Sequence, residues 1–370
     1  MPEIEIDADY LANLLNRLLT TPSPSGYTDA VVRLCARELE RLGVPYELTR
    51  RGAIRATLAG HHTQPARAVV AHVDTLGAQV KRLKDNGRLE LVPIGHWSAR
   101  FAEGARCTVF TDDGAIRGTI LPLKASGHTF NQEIDTQPVG WPHVELRVDV
   151  VAHDQAMLAS HGINVGDIVA IDSAPEFSPN GFINARHLDD KAGVAVLFAS
   201  LAALRAIKRV PPVAVHFLFT IAEEVGVGAS AVLHGDVASM VTIDNGTTAP
   251  GQNSRETGVT VAMADQTGPF DYHLTQKLLR LARENDIPHQ RDVFRYYRSD
   301  SAAALEAGND IRTALLTFGI DASHGWERIH LDALVDLARL VAVYVMSEVE
   351  LPRDANEMAS LKGFTRQPTT

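Results

Sequence analysis

The chain has 370 residues, more than one small core needs and enough for about two domains. Hydrophobic residues make up 45% and charged residues 22%, the balance of a soluble globular protein. A formal net charge of -10 argues against a nucleic-acid partner, because phosphate binding needs a basic face.

The start, MPEIEIDADY, is acidic and lacks the basic, then apolar, order of a secretory leader. No apolar run approaches the roughly 20 residues that a membrane helix needs. A cytoplasmic protein without a membrane partner is the expectation. Residues 8–20 space leucines and an aromatic as a helix does, and TPSPSG breaks the pattern. Thr28 then reads as the N-cap of a second helix that stops at Gly43. Its Cys35, and Cys107 further on, each sit in an apolar stretch and read as buried thiols.

The β-branched run 67–73 predicts a buried strand, and so do 213–222, 240–244 and 312–320. Helical spacing over 190–207, 271–285 and 331–349 separates them. Strands alternating with helices predict an α/β fold with a mixed, largely parallel sheet flanked by helices. Residues 77–165 read differently, as short alternating stretches with DNG and DDG turn signals. They predict a small antiparallel β domain inserted into a catalytic domain made of 1–76 and 166–370.

Five places put His, Asp or Glu at the end of a predicted strand or the start of a helix, where open α/β sheets build their sites. In His72-Val73-Asp74 the first and third residues of an extended chain point the same way. Asp74 can then fix the tautomer of His72 for metal binding, although a structural His–Asp pair fits as well. Asp189-Asp190-Lys191 begins a helix. Simple capping would explain two acids there, and so would a carboxylate placed between two cations. Glu223-Glu224 directly follow the strand HFLFTIA, where two carboxylates are expensive to desolvate unless a cation offsets them. A solvated loop is the bland explanation. The chemical one splits the pair into a metal ligand and an acceptor of a water proton. Asp244 closes MVTID and His324 follows the last strand; a turn-initiating Asp and a structural His are the ordinary readings. Taken together, two His and three carboxylates form a mixed N/O donor set suited to Zn2+, Co2+ or Mn2+, with Glu223 left over as a candidate general base.

With these residues assembled, the sequence resembles the tetrahedral (TET) aminopeptidase family, cocatalytic metallo-aminopeptidases that include glutamyl, leucyl, lysyl and deblocking enzymes. The resemblance runs from TPSPSGYTDAV through AHVDTLG, GINVGDIVAID, HLDDKAG, FTIAEEVGVGA, VTIDNG and YRSDSAAAL to ASHGWERIHL. It implies two divalent metal ions per subunit. His72, Asp189 and Asp244 would hold one; Asp189, Glu224 and His324 the other, with a cis peptide between Asp189 and Asp190. Asp74 would orient His72, and Glu223 would be the general base. The resemblance implies hydrolysis of the N-terminal residue of short peptides. It also implies a homo-oligomer, a dodecamer, in which the inserted β domain makes subunit contacts.

The sequence departs from that pattern in HLDDK, in NGTTAPGQNS after Asp244 and in HGWER. HGWERIH is similar to the matching segment of a subgroup linked to synthesis of a dipeptide-type osmoprotectant. That points to an alternative, a related amidohydrolase or deacylase acting on small N-acylated or amidated dipeptides. Arg295, Arg298 and Asp300 fall near the expected substrate region and are candidates to read substrate charge; a surface charge cluster is the competing explanation.

Overall fold

The computed structural model describes residues 4–369; the first three residues of the acidic N-terminal stretch lie outside them. Its backbone is a mixed sheet of nine strands and, inserted in it, a closed barrel. At the centre of the sheet four neighbouring strands run parallel, in the order Val213–Thr220, His62–His72, Val237–Thr247 and Arg312–Ile320. All eight residues of Val213–Thr220 are buried, as a parallel strand covered on both faces must be. Toward one edge Ile54–Leu58 and Tyr46–Leu48 add on antiparallel. Toward the other, Val259–Asp265 pairs antiparallel with Arg312–Ile320 and parallel with His289–Val293.

Helices Ala8–Leu19, Leu188–Ala206 and Leu331–Met346 pack on one another, and the latter two also on the sheet. The second helix, Asp29–Leu42, ends at Gly43 in the left-handed conformation, φ 67, that glycine adopts freely. Thr28 does precede it, but its side chain makes no capping hydrogen bond. The core predicted from the apolar runs is continuous through these layers, and Phe198 stacks on Phe219 at 4.8 Å between ring centroids.

The barrel is antiparallel throughout: Gly77–Leu83, Leu89–Ile94, Val144–Val148, Gly114–Pro122, Arg106–Thr111 and Ile168–Ile171, closing back on the first. It has its own apolar core around Val80, Leu91, Val109 and Leu146. The alternating stretches of 77–165 supply five of its strands, and Ile168–Ile171 closes it. Among the described residues, no helix is long and apolar enough to cross a membrane.

A parallel arrangement puts all four central C-terminal ends on one edge. The register is close: His72 lies opposite Thr220, Val70 opposite Thr242, and Asp244 opposite Thr317. Leu188–Ala206 leads by a short link into Val213–Thr220 and packs along His62–His72, so its N-terminus returns to that same edge. Because Phe219 supports this edge from inside the core, Phe219→Ala should destabilise the fold by about 3–5 kcal/mol. Urea unfolding followed by circular dichroism reads that loss; a change below about 1 kcal/mol would show that the stacked pair is not part of a close-packed core.

Candidate metal centre

Each sequence-singled residue at this edge arrives on its own element. His72 is the last residue of its strand. Glu223 and Glu224 follow Val213–Thr220, Asp244 lies near the end of Val237–Thr247, and His324 follows Arg312–Ile320 with φ 65. Asp189 and Asp190 open helix Leu188–Ala206 in non-helical conformations, joined by a cis peptide.

Asp189 is the centre of the arrangement. Its Oδ1 lies 3.3 Å from His72 Nε2, and its Oδ2 lies 3.2 Å from His324 Nε2. Around it, donor atoms of His72, Glu223 and Asp244 fall within 4.8 Å of one another, and those of Asp189, Glu224 and His324 do likewise. One carboxylate thus faces two histidines from opposite oxygens, each histidine in its own donor set. Glu223 Oε2 is 3.7 Å from His72 Nε2, and Glu224 Oε2 is 3.8 Å from His324 Nε2.

Both imidazoles are turned by hydrogen bonds from their other nitrogen. His72 Nδ1 donates to the Asp74 carbonyl oxygen at 2.9 Å, and the Asp74 carboxylate lies 3.5 Å from that nitrogen. His324 Nδ1 donates to the His96 carbonyl, 2.8 Å away, a group on the loop that leaves the barrel strand Leu89–Ile94. In each case Nε2 is left for the site, the tautomer a metal ligand requires.

The adjacent acids divide their work. Asp190 turns away from the histidines: its oxygens accept from the amides of His72, at 3.1 Å, and Gly193, at 3.2 Å. A Cβ on Gly193 would stand 2.2 Å from Asp190 Oδ1, so that close approach needs glycine. Asp74 spends its carboxylate on the amides of Glu223 and Glu224, at 3.1 and 3.3 Å, and on the Ser25 hydroxyl. Asp300 is buried, with Thr220 Oγ1 at 2.6 Å and the Ala229 amide at 2.7 Å, so it holds both ends of the loop that carries Glu223 and Glu224. Lys191 donates to the carbonyls of Leu18 and Thr21, tying the first helix to this corner.

Three residues that sequence reasoning missed complete the site. Glu327 accepts from the amides of Leu188 at 2.7 Å, Asp189 at 3.3 Å and His324 at 2.9 Å, so one buried carboxylate ties the two segments together. Its place three residues after His324 in HGWER was the available signal. Asn245 Nδ2 donates to Asp189 Oδ2 at 2.7 Å. Tyr297 has a buried hydroxyl that makes no hydrogen bond.

The site opens into a cavity of about 720 Å³ lined by His96, Asp189, Glu223, Glu224, Asp244, Phe294, Arg295, Tyr297 and Arg298, among others. Arg298 lies on that wall and pairs with Glu306 at 2.6 Å.

The charges do not balance without a cation. Burial pushes Glu223 and Glu224 well above the ordinary carboxylate range, and neighbouring carboxylates push further. Burial, with Asp189 beside it, raises Asp244 to about 8. Burial alone would lower both imidazoles, but Asp189 outweighs it, aided by Asp74 at His72 and by Glu224 at His324. His72 is held well above its usual value and His324 at about 10. Glu224 Oε1 is buried with no hydrogen-bond partner. Crowded acids, imidazoles presenting Nε2 and an orphaned acceptor are what a pair of divalent cations would satisfy, so the residues fit that group.

The sequence profile of the M42 glutamyl aminopeptidase family matches residues 52–340. The chain is 35% identical, over 90% of its length and 96% of the relative's, to YhfE of Bacillus subtilis (strain 168), provisionally named an aminopeptidase. Among solved structures, it is similar to the TET aminopeptidase of the marine sediment archaeon Thaumarchaeota archaeon SCGC AB-539-E09. The TM-score there is 0.84 at 20% identity, over 92% of this chain and 96% of that one. The TET1 peptidase of Pyrococcus horikoshii, which can assemble into a tetrahedron or a large octahedral shell, gives a TM-score of 0.81 at 21% identity, over 91% and 100% of the two chains.

With His324 raised to about 10, its imidazole is protonated at pH 7.5 in metal-free protein, and a cation bound at His324 would have to displace that proton. Adding Zn2+ in weak buffer should therefore release protons, and affinity should rise as pH rises toward about 10. Indicator-dye titration measures both; uptake without proton release would contradict the placement of His324 beside the ion.

Proposed function

The chain belongs to the M42 glutamyl aminopeptidase family, and on that footing we propose that it removes the N-terminal residue from short peptides with two divalent metal ions at the Asp189 site. The observation that carries this reading is the split of the Asp189 carboxylate between His72 and His324. His72, Asp189 and Asp244 would hold one ion; Asp189, Glu224 and His324 would hold the other. The donors are nitrogen and oxygen only, which suits Zn2+, Co2+ or Mn2+. Bound there, such ions would polarise a carbonyl and lower the pKa of water.

The chain's own groups supply the rest. Glu223 is the general base: it takes a proton from the attacking water and returns it to the leaving amine. Burial raises its affinity for a proton, which suits a group that must accept one and hold it briefly. Asp74 places Glu223 through the backbone amide and shares in orienting His72. Asp300 acts on substrate through the loop it braces, and Arg295 and Arg298 bring positive charge to the cavity wall.

The reading extends to assembly. The barrel built on 77–165 is the unit for subunit contact in a homo-oligomer, a dodecamer. Exposed apolar side chains in this segment, Val92, Phe101, Leu123, Val139, Val151 and Val165, support such a role. A cytoplasmic location belongs to the same proposal, and the free, buried Cys35 and Cys107 agree with a reducing compartment.

Glu223→Gln tests the chemistry. Metal content should stay at two ions while turnover of aminoacyl-anilides falls by at least about 10³-fold, within the range for a positioned base. Retained turnover would remove Glu223 from its role. A wild-type protein that cleaved acyl-amino acids and left aminoacyl-anilides intact would be an amidohydrolase instead.

A further inference from the structure

Tyr297 is unusual in the cavity wall. It stands in the loop between strand His289–Val293 and helix Asp300–Glu306, and its carbonyl accepts from the Gln266 amide at 2.9 Å. Its ring packs on Phe294, with 5.5 Å between centroids, and joins a cluster with Ala262, Phe270 and Leu315. Ring and backbone are therefore fixed, and the hydroxyl has little freedom to look elsewhere. That hydroxyl is buried and lies close enough to the Asp244 carboxylate for the two to interact, but without the distance and angle of a formed hydrogen bond. Phenylalanine would fill the same space without burying a polar group. A buried hydroxyl left unpaired opposes folding unless a partner arrives during function.

The chemistry limits what that partner can be. A phenol carries its proton at neutral pH and is a donor, so it needs an acceptor in the cavity. When water adds to a peptide carbonyl, its oxygen bonds to the carbon and the π pair moves onto the carbonyl oxygen. Charge then develops on that oxygen. Glu223 holds the water's proton at this stage, so it has none to spare for the oxygen. We propose that Tyr297 is a catalytic residue whose phenol donates a hydrogen bond to the oxygen of the scissile carbonyl as it becomes negative. When the pair returns, the C–N bond breaks and the amine leaves with the proton from Glu223; Tyr297 keeps its own proton throughout. This inference rests on the peptide-hydrolysis reading above. A Tyr297 that only braced Asp244 would act on metal retention instead.

The test is Tyr297→Phe in the full-length, zinc-loaded protein. The two-ion metal content should match wild type and the melting temperature should equal or exceed it, because ring packing is kept and an unpaired buried hydroxyl is removed. The value of kcat should fall about 10²–10³-fold, the usual loss for one donor to a developing oxyanion, with KM little changed. Binding of a dipeptide phosphonate, a stable mimic of the tetrahedral species, should weaken by a similar factor in calorimetry, while the free amino-acid product binds as before. An unchanged kcat, or a loss of kcat that tracks loss of metal, would overturn the role. If wild-type protein cleaves no aminoacyl-anilide at all, the peptide-hydrolysis reading fails first; active wild type beside an equally active Tyr297→Phe defeats this inference alone.

Discussion

The structure turns on crowded negative charge taken out of water. Asp189, Glu223, Glu224 and Asp244 are brought to one edge of the sheet, where His72 and His324 lie against them. Isolated charges in such surroundings are strongly disfavoured, and like charges in contact raise the penalty. Protons can relieve it in part, as the upward shifts of Glu223, Glu224 and Asp244 reflect. Two divalent cations would relieve it more fully, and the proposed chemistry would come from the same ions.

A charge cluster of this kind holds its shape only if each loop that carries it is fixed from behind. Buried carboxylates do that fixing too. Asp74 grips the amides of Glu223 and Glu224, and Asp300 braces the far end of their loop. Asp190 secures the end of the His72 strand, and Glu327 joins the His324 loop to the start of the Asp189 helix. Each accepts from backbone amides, which stabilise a carboxylate without adding another titrating group. The barrel reaches the site through the His96 carbonyl that orients His324 and through Ile171, whose carbonyl accepts from His187 Nε2 at 3.1 Å beside the start of the Asp189 helix. Movement of the barrel against the sheet would thus be felt at a proposed ligand.

Much of this is legible in the amino-acid sequence. The strands around 67–73, 213–222, 240–244 and 312–320 are apolar and β-branched because they are covered on both faces, and they formed as parallel neighbours. The acids and histidines at their ends stood out because burial makes them expensive. His289–Val293 did not stand out: HQRDV is polar, and it pairs on one side only, with Val259–Asp265. Local sequence also could not say which of Asp189 and Asp190 faces the histidines. That depends on backbone turns on either side of their shared peptide, set by tertiary contacts with His72 and Glu327. Tyr297 and Asn245 carry no periodicity, and although Tyr297 begins YRSDSAAAL, one of the segments that carry the resemblance, only the cavity gives the two side chains meaning.

The central claim is that Asp189 stands between two cations. Anomalous diffraction from crystals saturated with Zn2+, collected on both sides of the zinc edge, addresses it directly. The account predicts two peaks about 3.5–4 Å apart, one reached by His72 and Asp244, the other by Glu224 and His324, with one Asp189 oxygen on each. A single peak, or a pair that leaves Asp189 unligated, would contradict it.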